Sequence, residues 1–180
     1  MCSPSAPGVV IATVLSQLSI RGAIGVRGTV LISASSAGKA GPEELSGQVV
    51  SLFNGKTPPR SVFPQGLAFD VASQVGDDVE GWTTVERRIA VEVADLLAWR
   101  PEQALVSVVL APMFAGVAAD LTIEFDHGVD LDAVVQLIRD TPGVRVGDPV
   151  PGPRRVAGDS SIYVGRIRLD PDHTRVHLWV

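Results

Sequence analysis

Apolar positions along the chain recur with two periods, one near 3.6 residues and one near 2, and these predict its elements. Within residues 9–20, Val10, Val14, Leu15 and Leu18 fall at helical spacing, and Gly22 stops the helix. Residues 25–34 alternate as a strand does, with Val26, Val30 and Ile32 on one side, and open into the loop Ser35-Ser36-Ala37-Gly38-Lys39-Ala40-Gly41. Pro42, Glu43 and Glu44 suit a first helical turn, where proline needs no amide donor and carboxylates meet the positive end of the dipole; this helix runs to about Phe53. Residues 54–81 carry Pro58, Pro59, Pro64, Gly66 and Gly76, which predicts an extended, irregular wrap with a short strand over 67–71. Thr83 or Thr84 followed by Glu86 opens a periodic helix that buries Val85, Ile89, Val93, Leu96 and Leu97. Near-continuous apolar runs over 104–113 and 118–125 suit strands buried on at least one face. Asp130 caps a helix through Ile138, stopped by Thr141-Pro142-Gly143. Residues 147–158 form a loop, and 161–169 pair with 174–180 as a hairpin over Asp170-Pro171-Asp172-His173.

Together these elements predict an α+β domain, a mostly antiparallel or mixed sheet with helices packed on one face. At 180 residues the chain suits one compact unit over 9–180 behind a flexible amino terminus, residues 1–8. A net charge of -5, with Lys and Arg scattered rather than gathered in a stripe, disfavours nucleic acid as a partner. The apolar start of the first helix meets Ser16, Gln17, Ser19 and Arg21 too soon for a membrane span, and no basic residue precedes it as a secretory signal requires. Cys2 is the single cysteine, so no intramolecular disulfide forms, in keeping with a reducing cytoplasm.

Several motifs carry the look of chemistry without its context. Gly55-Lys56-Thr57 ends like a phosphate-binding loop, but the first glycine of that loop would fall at Val50, inside a helix. Gly38-Lys39 is followed by alanine, with no hydroxyl for a magnesium ion, and no Gly-x-Gly-x-x-Gly fingerprint for a nicotinamide cofactor occurs. His127, His173 and His177 are lone histidines without zinc spacing, so no metal is expected. Gly158-Asp159-Ser160 follows a loop rather than a strand and suits a capped turn better than a nucleophile elbow. Asp120, Glu124 and Asp126 share one side of a strand and suit a solvated face better than a paired-carboxylate site.

A resemblance covers nearly the whole chain. Thr29-Val30-Leu31 with Ala37-Gly38-Lys39-Ala40-Gly41, Phe63-Pro64-Gln65-Gly66-Leu67-Ala68-Phe69-Asp70 and Pro112-Met113-Phe114-Ala115-Gly116 resemble, in order, segments of the aspartate-semialdehyde dehydrogenase family. Val164-Gly165-Arg166-Ile167-Arg168-Leu169-Asp170 and Leu178-Trp179-Val180 resemble the closing strands of that family's dimerisation domain. The family's thiol nucleophile, which attacks an aldehyde or acyl phosphate, falls around Ser5-Ala6-Pro7, at Ala6. Its glutamine falls at Leu31, its substrate-gripping arginine at Leu110 and its general-base histidine at Val117. In the family's E-E-x-K helix the first carboxylate is Val85 here, and the phosphate-contacting lysine is Arg88, the surviving cation. With thiol, amide, guanidinium and imidazole all replaced, the resemblance is nearest to the Usg-type paralogues, which share the fold without the catalytic set.

The resemblance therefore implies a non-catalytic dimerisation module that forms a homodimer or pairs with a full-length semialdehyde dehydrogenase subunit. His177 and Trp179, opposite Leu178 on the last strand, are the implied dimer contacts. NADP is implied only if a separate nucleotide-binding domain is present. The alternative is a fragment or subunit of an NADP-dependent semialdehyde dehydrogenase of amino-acid biosynthesis whose nucleotide-binding domain lies elsewhere.

Overall fold

The computed structural model describes residues 3–180, so Cys2 lies outside the described residues. Helix α1 spans Ala6–Ser19, three residues earlier than its apolar period predicts. Ser5 supplies the cap, its hydroxyl accepting from the Gly8 amide, and Pro7 occupies a first-turn position that needs no donor. Ala6, Pro7 and Gly8 thus belong to the helix and not to a flexible tail.

Strand β1 (Ala23–Ile32) leads through a 3-10 turn to α2 (Ala40–Phe53). Two-residue strands β2 (Asp78–Val79) and β3 (Trp82–Thr83) precede α3 (Thr84–Leu97), which is followed by β4 (Ala104–Leu110) and β5 (Val117–Phe125). Helix α4 (Leu131–Arg139), the short β6 (Val144–Val146), and the hairpin strands β7 (Ile162–Leu169) and β8 (Arg175–Trp179) complete the chain. The main sheet has the order β4-β1-β5-β8-β7-β6. It is mixed: β1–β4 and β6–β7 are parallel, whereas β1–β5, β5–β8 and β7–β8 are antiparallel.

Strict alternation gives this sheet two unlike faces. Val30 of β1, Val108 of β4, Leu121 and Ile123 of β5, and Val176 and Leu178 of β8 are all fully buried on one of them. Against that face pack α1, α3 and α4, with Leu15, Leu18, Ile89, Val93 and Ile138 pointing in. Each such side chain contributes about 1.5–3 kcal/mol of burial. Leu96, predicted on the buried face of α3, is instead exposed, because Ala90 and Ala94 complete the stripe beside Ile89 and Val93. At Gly28 the backbone takes a positive φ of 151°, and a Cβ there would overlap the Asp120 carbonyl of β5, so only glycine fits.

Two carboxylates lock elements that periodicity alone leaves loose. Glu86 closes the capping box of α3, accepting the Thr83 amide at 2.8 Å, while its other oxygen accepts the amide of Val108 on edge strand β4 at 2.9 Å. Replacing Glu86 by alanine orphans two buried donors and is expected to cost about 3 kcal/mol, measured as a lower urea midpoint at unchanged slope. Glu44 of α2 accepts the amides of Ser61 and Val62 at 2.7 Å and of Phe63 at 2.8 Å. Gln48, one turn on, takes the amides of Leu67 and Ala68 on its carbonyl and donates to the Pro59 carbonyl.

The strand predicted over residues 67–71 does not form. Its first two amides are consumed by Gln48, and Phe69 turns to φ 65°, so no ladder can start. The wrap instead meets the sheet through a single bridge, Ala72 to Leu110.

Candidate functional site

A cavity of about 420 Å³ opens where the first turn of α1, the end of β1 and the start of α3 converge. Its walls include Ser5, Ala6, Ile32, Arg88, Ile89 and Val117. Three of the positions singled out from the sequence, Ala6, Arg88 and Val117, are therefore brought together.

Leu31 and Leu110 do not join them. Val30 and Ile32 face the helices, so alternation turns Leu31 to the opposite side of the sheet; Ile32 lines the cavity in its place. Leu110 ends β4 in the core beside its bridge to Ala72 and does not line the cavity.

The polar side of the cavity is built on Glu92, a largely buried side chain of α3. Its Oε2 accepts the Ser5 amide at 2.9 Å and also the Ser5 hydroxyl, and its Oε1 accepts Arg88 Nε at 2.6 Å. Burial alone would raise the Glu92 pKa, but the Ser5 donors and Arg88 outweigh it and hold the carboxyl below its ordinary value. A carboxylate so stabilised is a poor proton acceptor for a hydroxyl. Ser33, Ser35 and Ser36 add further hydroxyls to the wall, with Ser33 and Ser35 bonded to each other at 2.9 Å, and among the described residues no histidine lines the space.

The second feature is the sheet face opposite α1, α3 and α4, which the loop at 148–150 meets at Trp179. Leu31, Val109, Thr29 and Trp179 lie on it half-buried, with Thr122 and His177 at its centre. The two predicted dimer contacts, His177 and Trp179, both point this way because Leu178 between them is buried. His177 bridges strand and hairpin turn: Nδ1 is 2.9 Å from the Thr122 hydroxyl and Nε2 is 2.6 Å from Asp170 Oδ1. Asp120 and Glu124 also lie here and approach Arg168 at 4.0 Å and Arg27 at 3.9 Å, while Asp126 falls beyond the end of β5. Such loose, half-exposed pairs add little stability to the monomer.

The remaining motifs are structural. Gly55-Lys56-Thr57 follows the end of α2 rather than preceding a helix, so its amides make no anion cradle. Lys39 pairs with Glu43 at 3.6 Å on the surface. Asp159 accepts the Ser161 amide and the Tyr163 hydroxyl, each at 2.8 Å, which holds its pKa down to about 2 and makes the segment a capped turn. His127 pairs with its neighbour Asp126. Among the described residues, no three His, Cys, Asp or Glu side chains converge as metal ligands would, and no helix is long and apolar enough to cross a membrane.

Sequence reasoning missed Ile32 and Glu92 as residues that shape the cavity, and Glu44 and Gln48 as the side chains that hold the wrap at 59–68. A signal for the last two exists, since Glu44 and Gln48 stand four apart on the helix face that carries Leu45.

Comparison with known proteins agrees with this geometry. Residues 25–180 match the family model described as the semialdehyde dehydrogenase dimerisation domain. The chain is 34% identical over 157 residues to a USG-1 protein homolog of Pseudomonas aeruginosa, an alignment covering 84% of this chain and 47% of the relative. It is 32% identical to an aspartate-semialdehyde dehydrogenase of Rickettsia bellii, covering 82% of this chain and 46% of the relative. Among solved structures, aspartate semialdehyde dehydrogenase II from Vibrio cholerae matches 98% of this chain and 55% of its own, with a TM-score of 0.89 at 28% identity. A probable aspartate-semialdehyde dehydrogenase from Pseudomonas aeruginosa matches the same shares with a TM-score of 0.87 at 32% identity. The chain spans about half the length of the relatives it matches. It belongs to the semialdehyde dehydrogenase family, as a form of that family's dimerisation domain.

Proposed function

We propose that this chain is a non-catalytic member of its family that acts as a dimer-forming module, pairing with a second copy through the bare face of its sheet. The observation that carries the reading is that face: six strands, α1, α3 and α4 packed on the other side, and a central strip of Leu31, Val109, Thr122, His177 and Trp179 left half-buried. A surface of mixed apolar and weakly paired charged groups suits an isologous contact, since Arg27 and Arg168 lie on the same face as the carboxylates of Asp120 and Glu124 that a second copy would also present. Chemistry is absent in this reading because Ala6, Leu31, Leu110 and Val117 stand at the positions that the resemblance assigns to the family's thiol, amide, guanidinium and imidazole.

Its test is an activity assay of the chain, alone and mixed with a separately produced nucleotide-binding domain of a relative. The expected result with aspartate semialdehyde, phosphate and NADP is no reduction of NADP. Turnover above the level of the added domain overturns the non-catalytic reading.

A second reading, a subunit or fragment of an NADP-dependent semialdehyde dehydrogenase, draws on the fact that relatives are about twice as long. In this reading NADP enters only with another domain, since the sequence carries no Gly-x-Gly-x-x-Gly fingerprint. A full-length semialdehyde dehydrogenase subunit is then the alternative partner for the same sheet face. The two readings part on reconstitution: under the second, the chain mixed with a separately produced nucleotide-binding domain reduces NADP on aspartate semialdehyde and phosphate, and under the first it does not.

A further inference from the structure

Strand register sets one row of side chains straight across the bare face. Arg27 of β1 lies opposite Thr122 of β5, Thr122 opposite His177 of β8, and His177 opposite Arg168 of β7. Directly opposed residues point to the same side of a sheet, so the histidine stands in the row between a hydroxyl and a guanidinium. Both of its ring nitrogens are engaged, Nδ1 with the Thr122 hydroxyl at 2.9 Å and Nε2 with Asp170 Oδ1 at 2.6 Å. An ionised carboxylate only accepts, so a neutral ring carries its proton on Nε2, donates it to Asp170, and accepts the Thr122 hydroxyl on Nδ1. Both contacts are then satisfied with no charge on the ring.

The charges around the row are matched while the ring is neutral. Arg27 approaches Glu124 at 3.9 Å, Arg168 approaches Asp120 at 4.0 Å, and Arg175 approaches Asp170 at 3.6 Å. Arg166 and Asp148 border the same face beside Trp179. Asp172 and His173 lie in the hairpin turn, Asp172 reaching Arg175 at 3.6 Å. A proton on Nδ1 adds a further cation to the row that already holds Arg27 and Arg168. It also turns Thr122 from donor into acceptor, with its hydroxyl hydrogen directed away from the ring. In the free chain the His177 side chain is 26% exposed, so water reaches an imidazolium there. In a face-to-face pair that water is displaced, and two-fold symmetry sets two such charges in one interface.

We infer that His177 makes pairing through this face pH-dependent: two copies meet while both rings are neutral, and protonation of His177 parts them. This control rests on the dimer reading and supplies its regulation. A dimer with neutral rings binds fewer protons than two free chains, so dissociation takes up protons and pairing weakens as pH falls. Imidazole changes charge between about pH 5 and 8, above the range in which carboxylates titrate.

Sedimentation equilibrium of the wild-type chain and of His177→Gln at about pH 7.5, 6.5 and 5.5 tests it. Wild type is expected to be dimeric at the highest of these, with a dissociation constant at least about tenfold larger at the lowest. Glutamine offers the same two contacts, an amide N–H for Asp170 and a carbonyl for the Thr122 hydroxyl, and takes no proton. His177→Gln is therefore expected to pair with one affinity across the range, while His127 and His173, still present, control for titration elsewhere. Dilution calorimetry of the wild-type dimer near the middle pH is expected to show proton uptake, as a heat that varies with the ionisation enthalpy of the buffer. Wild-type chain that is monomeric at every pH refutes the dimer and this control with it. Wild-type dimer of unchanged affinity on acidification, His177→Gln that still dissociates, or dissociation without proton uptake overturns the control alone and leaves the dimer standing.

Discussion

Replacing Glu44 by alanine is expected to remove about 4 kcal/mol of stability, the largest single loss from any side-chain change outside the apolar core. Three amides, those of Ser61, Val62 and Phe63, converge on this one carboxylate, and Gln48 supports it at 3.2 Å. Without it those donors lose their partner in a half-buried turn where water replaces it poorly. The wrap from Pro59 to Ala68 would then detach from α2, exposing Phe63 and Leu67, both buried against the core. Thermal denaturation reads the effect, and proteolytic nicking within residues 59–68 locates it. The same carboxylate gives the fold an acid limit. Burial pushes its pKa up, but the three amides and Gln48 prevail and leave it lowered. A lowered folded-state pKa means that the stabilisation is present above the ordinary glutamate value, about 4.3, and is lost as pH falls below that value through the folded one. Wild-type stability is therefore expected to drop in that acid window, whereas Glu44→Gln is weaker at neutral pH and loses less on acidification. Equal acid slopes in the two proteins would refute the assignment.

Leu31→Asp is expected to convert a dimer to monomers, weakening association by at least about 100-fold, with little change in the far-ultraviolet spectrum. Leu31 lies on the bare face, flanked by Val109 on β4 and Ala118 on β5, with its back to the core. A two-fold contact would bury two such carboxylates near each other, without a partner for either. Size-exclusion chromatography coupled to light scattering measures the change. If Leu31→Asp remains dimeric, the copies meet elsewhere. The substitution also separates surface from cavity: Ile32→Asp, one residue on, points into the core and is expected to destabilise the fold itself.

Much of this fold is legible in the sequence where local chemistry decides. The box Thr83-x-x-Glu86 fixes the start of α3, Asp130 fixes α4, and alternation at Val26, Val30 and Ile32 marks the side of β1 that packs on helices. Other elements depend on partners distant in the chain. Strand β6 is three residues long and exists because it pairs in parallel with β7 across the intervening loop. The ribbon β2–β3 rests on positive φ at Glu80 and Gly81, a turn that glycine announces but glutamate does not. The missing strand at 67–71 is lost to a side chain, Gln48, whose reach across nineteen and twenty positions no window of periodicity contains. At the cavity, the positions named from family motifs include Ala6, Arg88 and Val117 among the walls, whereas Leu31 lies on the other face of its strand and its neighbour Ile32 lines the space. In a strand one residue decides the face: Leu31 belongs to the bare surface and Ile32 to the cavity.

The bare face is the centre of the account, and sedimentation equilibrium on the purified chain tests it most directly. Across the micromolar range the expected result is a mass twice the 18.9 kDa of the chain, dissociating reversibly on dilution and abolished by Leu31→Asp. A single species of 18.9 kDa that persists into the high micromolar range would contradict it.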